Sequence, residues 1–301
     1  MVKRNDILRK RAAKNTRAIA VTIFKYLFLS ATGYVVLYPL IFMISYSVRP
    51  SEAFIDPSVV WVSKSFSFEN FKLAADALKL PTALISTLSI EIVSALIQVL
   101  TCAVTAYGFG RFNFPGKRFF TVVLLLMILI PSPMIIIPQT LNYRTLHILN
   151  TPLTFYLPSL FSVGLKSGIL IYIYIQFFKG LPKELEEAAW IDGAGTLRTF
   201  FSVIVPSAGV VILTVSIFSV IWHWNDYYIA IMNLPNNYPL AVSLSQIISS
   251  LEKMNYWITA DPQTQGIVMA ACIIFTAPVL AVYLVLQKWF IASIDRIGIV
   301  G

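Results

Sequence analysis

The sequence predicts an all-α membrane protein with six transmembrane helices, and three observations carry that prediction. Of 301 residues, 57% are hydrophobic and 12% charged, with a mean hydropathy of +0.77, far from the averages of soluble domains. Apolar runs of the roughly 20 residues that a helix needs to cross a bilayer core recur six times. Between the fourth and fifth run lies a stretch of small residues and carboxylates, which has no place in lipid and suits a docking surface for a soluble partner.

Residues 1–22 form a basic segment, expected to lie against anionic lipid of the inner leaflet. Ile7, Leu8, Ala12 and Ala18 interleave with its charges, so a short surface helix and an unstructured basic segment are both open readings. The spans fall near 23–47, 82–107, 119–141, 153–178, 204–232 and 266–290, and residues 23–292 read as one membrane domain. The first run is too long for a cleaved signal and should remain as a span. With the N-terminus inside, sixteen of the 23 Lys and Arg flank the cytoplasmic side, six lie outside and Lys166 falls within a span. Both termini are therefore expected in the cytoplasm of a multi-pass cell-membrane protein. The segment 293–301 is a short cytoplasmic tail.

The net charge of +9 is accounted for by these flanks, so no nucleic-acid partner is expected. Cys102 and Cys272 lie in predicted spans and read as small packing residues. His147 and His223 stand far apart, and no metal-site spacing appears. Phe114-Pro115-Gly116-Lys117-Arg118 lacks the earlier Gly and the Ser/Thr of a nucleotide-binding loop, so the chain is not expected to be an enzyme that hydrolyses nucleotides by itself.

The loop 180–206 is the most informative stretch. Gly180-Leu181-Pro182 should end the fourth span and open a helix over about 182–192 with Pro in its first turn. Glu184, Glu186 and Glu187 then sit at the positive end of its dipole. Ala188 and Ala189 leave a shallow face, and Gly193-Ala194-Gly195 permits a sharp turn, after which Thr196 is expected to cap a second helix running into Pro206.

Glu187-Ala188-Ala189, with Gly193 and then Val203, Val205 and Pro206 at their offsets, resembles the EAA loop of ABC importer permeases. The longer string from Leu181 to Ala194 is similar to the carbohydrate-uptake, maltose-transporter-like branch. Ala106–Lys117, Ile130-Pro131, Trp224-Asn225-Asp226 and Tyr238-Pro239-Leu240 extend the likeness over about 82–292. The tail departs from the branch, with Ser293-Ile294-Asp295-Arg296 in place of a Gly-rich ending.

The resemblance implies a type I ABC importer permease fold with a cytoplasmic EAA coupling helix. It implies a second permease subunit, two ATP-binding cassette ATPase subunits that bind ATP and Mg, and an extracytoplasmic sugar-binding protein; this chain carries no cofactor. Within it, Glu184 and Glu187 would face a groove of an ATPase, Ala188 and Ala189 would pack closely, Asp192 and Gly193 would fix the angle and Pro206 would join the fifth span. A proton-coupled secondary transporter and a polytopic membrane enzyme are the competing classes; neither requires the alanine-rich loop.

Charges inside spans need a partner or a cavity. Lys166 lies about 18 Å from the outer face at 1.5 Å per residue and Glu91 at a comparable depth, and they are read either as a salt bridge or as a polar wall of the translocation path. Trp222, Trp224, Asn225, Asp226, Tyr227 and Tyr228 cluster at the outer half of the fifth span. They suit either an interfacial aromatic belt or a sugar path, with rings for stacking and amide or carboxylate groups for hydroxyls. Leu244, Ile247, Ile248 and Leu251 in the outer loop 233–265 have helical spacing.

Overall fold

The computed structural model describes residues 2–56, 63–254 and 263–298, with side chains for 19–56, 63–254 and 263–288. All regular structure among them is helical. Two compact units are present, residues 1–72 with 261–273 and residues 73–260 with 274–301.

In the first unit α1 (Val2–Ser47) is one continuous helix, so the basic segment and the first span share an axis. None of the residues in the most apolar window of Ile19–Ser47 is buried within the chain, whereas Ser47 at its end is. At its end, Asn70 donates to the carbonyls of Ser47 (3.1 Å) and Arg49 (2.8 Å), and the Arg49 guanidinium lies 4.2 Å over the Tyr46 ring. A Cβ at Gly266 would meet Phe54 at 2.5 Å and Asn70 at 2.9 Å, so this approach requires glycine.

The second unit holds α2 from Leu73 onward (Glu69–Ala77 in full), α3 (Leu80–Arg111), α4 (Lys117–Leu129), α5 (Ser132–Thr145), α6 (Leu153–Leu160), α7 (Ser167–Gly180), α8 (Glu184–Ile191), α9 (Thr196–Ser207), α10 (Gly209–Trp224), α11 (Tyr228–Asn233), α12 (Leu240–Ser245) and α13 (Ile247–Lys253). The part of α14 (Gln263–Gly298) from Ile274 onward also belongs to it. Its core joins α3, α7 and α10 through Cys102, Ala103, Ala106, Leu170, Tyr174, Phe178, Val211 and Val215. Small residues on α3 let the helices close in, which is how packing gains energy where lipid is as apolar as protein. A Cβ on Gly110 would stand 3.3 Å from that of Phe178.

Three helices are long and apolar enough to cross a membrane alone, namely Ile19–Ser47 of α1, α3, and Gln263–Lys288 of α14; two more candidates are the bent pairs α4 with α5 (103°) and α9 with α10 (84°). The described residues therefore give three to five spans by this measure, where six are expected from the sequence. The expected spans 119–141 and 153–178 are broken for identifiable reasons. Pro131 has no N–H and forces Ile130 out of the helical region, with ψ of 117°. The run 153–178 divides at Phe161–Lys166, where Ser162 and Lys166 take positive φ of 59° and 54°, leaving α6 about 12 Å and α7 about 21 Å long.

The outer segments are tied by backbone and amide contacts: Asn150 N–H donates to the Asn233 carbonyl at 2.8 Å, and Thr140 donates to Asn233 Oδ1 at 2.7 Å. The apolar outer stripe is helical, with Ile247 and Leu251 buried on α13. Residues 255–262 of that loop, the interleaved side chains Ile7, Leu8, Ala12 and Ala18, and the tail residues 299–301 lie outside the described residues and side chains.

Candidate functional site

Two places carry the polar chemistry, a loop helix at one end of α7 and a cavity at the other. The helix α8 opens with Glu184, Glu186 and Glu187 in its first turn, complementing the macrodipole. It starts two residues after Pro182, so that proline precedes the helix instead of sitting in its first turn. Gly193 ends it at φ +81°: its N–H donates to the Trp190 carbonyl at 3.0 Å, and the Ala194 N–H donates to the Ala189 carbonyl at 2.9 Å. This is the paired closure that favours glycine at the left-handed position. The second glycine, Gly195, has an ordinary φ of −73° and itself precedes the next helix, in which Thr196 is the first residue and makes no capping bond.

Glu184, Glu187, Ala188 and Asp192 are exposed, as is Pro206 near the 84° bend. Beside them Trp190 is 45% and Ile191 86% exposed, with Leu197 and Phe201 also uncovered. Glu186 points the other way and is buried. Its Oε2 accepts from Arg111 Nη2 at 2.7 Å and from Nε at 2.8 Å. The same guanidinium donates to the carbonyls of Phe178 (3.1 Å), Leu181 (2.9 Å) and Pro182 (3.1 Å). A single Arg at the end of α3 therefore fixes the end of α7 and the start of α8. Sequence reading counts Arg111 among the cytoplasmic basic flanks and gives Glu186 only a place in the first turn of the helix, without linking the two. The reason is physical, since on α8 the carboxylate Glu186 faces in while the apolar Ile191 faces out, which inverts the usual amphipathic signal.

At the other end of α7 lies a cavity of about 690 Å³, lined by Ser132, Lys166, Trp222, Asn225, Asp226 and Tyr228 among others. Lys166 stands just before α7 and holds its ammonium 4.7 Å from the Trp222 ring centroid, within cation–π range. Asp226 Oδ1 accepts from the Ile229 N–H at 3.3 Å. Its Oδ2 is buried without a hydrogen-bond partner in the protein.

The remaining candidates from the sequence are placed elsewhere. Trp224 is turned to the opposite side of α10, where its Nε1 donates to the Phe275 carbonyl at 3.1 Å and its ring lines a separate apolar cavity of about 490 Å³. Glu91 is fully buried, and its Oε2 lies 3.2 Å from His223 Nδ1. Of the two readings of Glu91 and Lys166, the salt bridge is not formed: Glu91 pairs with His223, and Lys166 lies against Trp222 at the cavity wall. The cause is that Lys166 belongs to the turn before α7 instead of to a continuous span, so its side chain leaves the buried side that Glu91 occupies. His223, between two tryptophans, gives no sign in the sequence of being Glu91's partner.

The family described as binding-protein-dependent transport system inner membrane component matches residues 100–296. The chain is 30% identical over 286 residues to Protein LplC of Bacillus subtilis (strain 168), covering 92% of this chain and 94% of that one. It is 27% identical over 270 residues to the trehalose transport system permease protein SugB of Mycobacterium tuberculosis (strain CDC 1551 / Oshkosh), covering 89% and 94%. Its fold is similar to a chain in the crystal structure of a bacterial ABC transporter involved in the import of the acidic polysaccharide alginate, with a TM-score of 0.76 and 24% identity over 89% of this chain and 95% of that chain.

Proposed function

The chain belongs to the family of binding-protein-dependent transport system inner membrane components, is a non-catalytic permease subunit of a carbohydrate ABC importer, and from that premise we propose how its geometry performs the transport. The observation that carries the proposal is α8, an exposed acidic and apolar helix held to two long helices by the Arg111 fork. A partner ATPase takes Glu184 and Glu187 against basic residues of a groove, while Ala188, Ala189, Trp190 and Ile191 pack into it. Asp192 and Gly193 set the angle at which α8 leaves, and Pro206 lies where the chain turns into α10. ATP, with Mg, is bound by the ATPases.

When the ATPase pair closes, α8 moves as a rigid lever. Arg111 passes the movement to α3 and α7 together, because it holds the carbonyls of one and belongs to the other. At about 21 Å, α7 connects this lever to the Lys166 turn and the cavity. The membrane core has six spans, the two bent pairs and the divided α6 and α7 each crossing once. Both termini face the cytoplasm, as the excess of basic residues on that side supports. A second permease, two ATPases and an extracytoplasmic binding protein complete the importer.

The cargo is a sugar or oligosaccharide. SugB, named for trehalose, supports that class, and so does the cavity. Trp222 offers a ring for an apolar sugar face, and Lys166, Asn225 and Asp226 offer polar groups on the same wall. Reconstituting the chain with its partner permease, ATPases and binding protein in vesicles tests this. Sugar accumulation should follow ATP and persist when the proton gradient is collapsed; accumulation that follows the proton gradient and ignores ATP would make the protein a secondary transporter.

A further inference from the structure

Glu91, Gln98, Ser167, Ser219 and His223, each at most 1% exposed, form a continuous polar chain through the apolar interior of α3, α7 and α10. Its donors and acceptors follow from the groups at its ends. The Leu165 carbonyl can only accept, so the Gln98 atom 2.7 Å from it is Nε2, which also donates to Ser167 Oγ at 2.6 Å. Gln98 Oε1 therefore faces the other way, 2.9 Å from His223 Nε2 and 3.1 Å from Ser219 Oγ. Since that oxygen can only accept, His223 Nε2 carries a hydrogen. The contact of 3.2 Å between His223 Nδ1 and Glu91 Oε2 then needs one further proton, held on either atom. With it in place the pair is electrically neutral overall, which suits a site enclosed by apolar side chains.

The far end of this chain grips the residues on both sides of Lys166. Lys166 has φ of 54°, a conformation that a non-glycine residue holds only when its surroundings impose it. We propose that Glu91, His223 and Gln98 are positioning residues that set the Lys166 turn, and with it the cation–π pair to Trp222, against the wall of the cavity. Glu91 orients His223, His223 orients the Gln98 amide, and the amide holds Leu165 and Ser167. What the network requires at position 91 is a hydrogen-bond partner for Nδ1, and an uncharged donor suffices. That the cavity is the sugar's path rests on the preceding reading; the position of the turn does not.

The test is labelling of Lys166→Cys, in a Cys102→Ala, Cys272→Ala background, by a sulfonated maleimide on the full importer complex. Glu91→Gln supplies an amide donor to a neutral His223 and should label at the parent rate. Glu91→Leu and Gln98→Leu should shift the rate by threefold or more while the subunits still co-purify. Parent rates in both Leu variants, or a Glu91→Gln variant that behaves like Glu91→Leu, would overturn the proposal. If the Leu variants do not assemble, Glu91→Gln decides alone: assembly with parent labelling upholds the sufficiency of an uncharged donor, and failure of either refutes it. Labelling needs no transport, so loss of sugar uptake in the parent complex would count against the path and not against the positioning.

Discussion

The two ends of α7 are held by the same neighbour in different ways. At the cavity end Gln98 of α3 reaches the Leu165 carbonyl and Ser167 Oγ. At the loop end Arg111 of α3 reaches the carbonyls of Phe178, Leu181 and Pro182 and the carboxylate of Glu186. Roughly 20 Å of helix separates Gln98 from Arg111, about the length of α7, so α3 splints α7 along its whole course. The cavity-end clamp is a neutral amide and the loop-end one a full charge with a counter-charge. Depth explains the difference, because an unpaired charge within the bilayer is costly, whereas at its margin a guanidinium fork gives geometric precision and stronger bonds.

Breaking the charged clamp should have the largest effect. Arg111→Met leaves Glu186 buried without its partner and should cost about 3 to 5 kcal/mol, read as a fall in the unfolding midpoint of the purified complex in detergent. Arg111→Lys should recover only part of it, since an ammonium cannot serve three carbonyls and a carboxylate in one plane. A Met variant as stable as the parent would mean that the loop-end clamp is decorative.

Gly193→Ala comes next, at about 1 to 3 kcal/mol of backbone strain for a residue at φ +81°. ATP hydrolysis should continue in the assembled importer while sugar uptake falls. Uptake at the parent rate would remove this turn from the lever.

The cavity end should show smaller energies and sharper functional contrast. Trp222→Leu loses a cation–π contact of about 0.5 to 1 kcal/mol and should weaken uptake. Trp224→Phe loses one hydrogen bond, about 1 kcal/mol, and should leave uptake intact because Trp224 lines the other cavity. Equal uptake defects in the two would argue for a shared interfacial role. Smallest of all is the coupling between Glu91→Gln and Lys166→Met, which should be additive within about 0.3 to 0.5 kcal/mol because Gln keeps the network intact; a larger coupling would show that it does not.

The loop 180–206 was legible because its signals are local. Carboxylates in a first turn and Gly at a helix end act through the backbone of their own segment, and α8 with its Gly193 closure lies within two residues of where they place it, although Pro182 precedes the helix instead of opening it. The first, second and last expected spans were legible for a similar reason, since a long uninterrupted apolar run has few alternatives to a helix. The breaks at Pro131 and at Ser162–Lys166 were less so. Prolines elsewhere in the chain, such as Pro39 in α1 and Pro278 in α14, sit inside continuous helices, so the residue alone does not announce the bend.

The sequence by itself determined the apolar surroundings of this protein, the location of its acidic loop helix and the glycine that ends it, because transfer to lipid and backbone conformation depend on composition and nearest neighbours. Only the tertiary structure decided which charge meets which. Glu91 with His223, Lys166 with Trp222 and Arg111 with Glu186 join residues distant in the chain. In helices apolar on every side no periodic stripe marks the facing surface, so these partners were chosen by how α3, α7 and α10 pack.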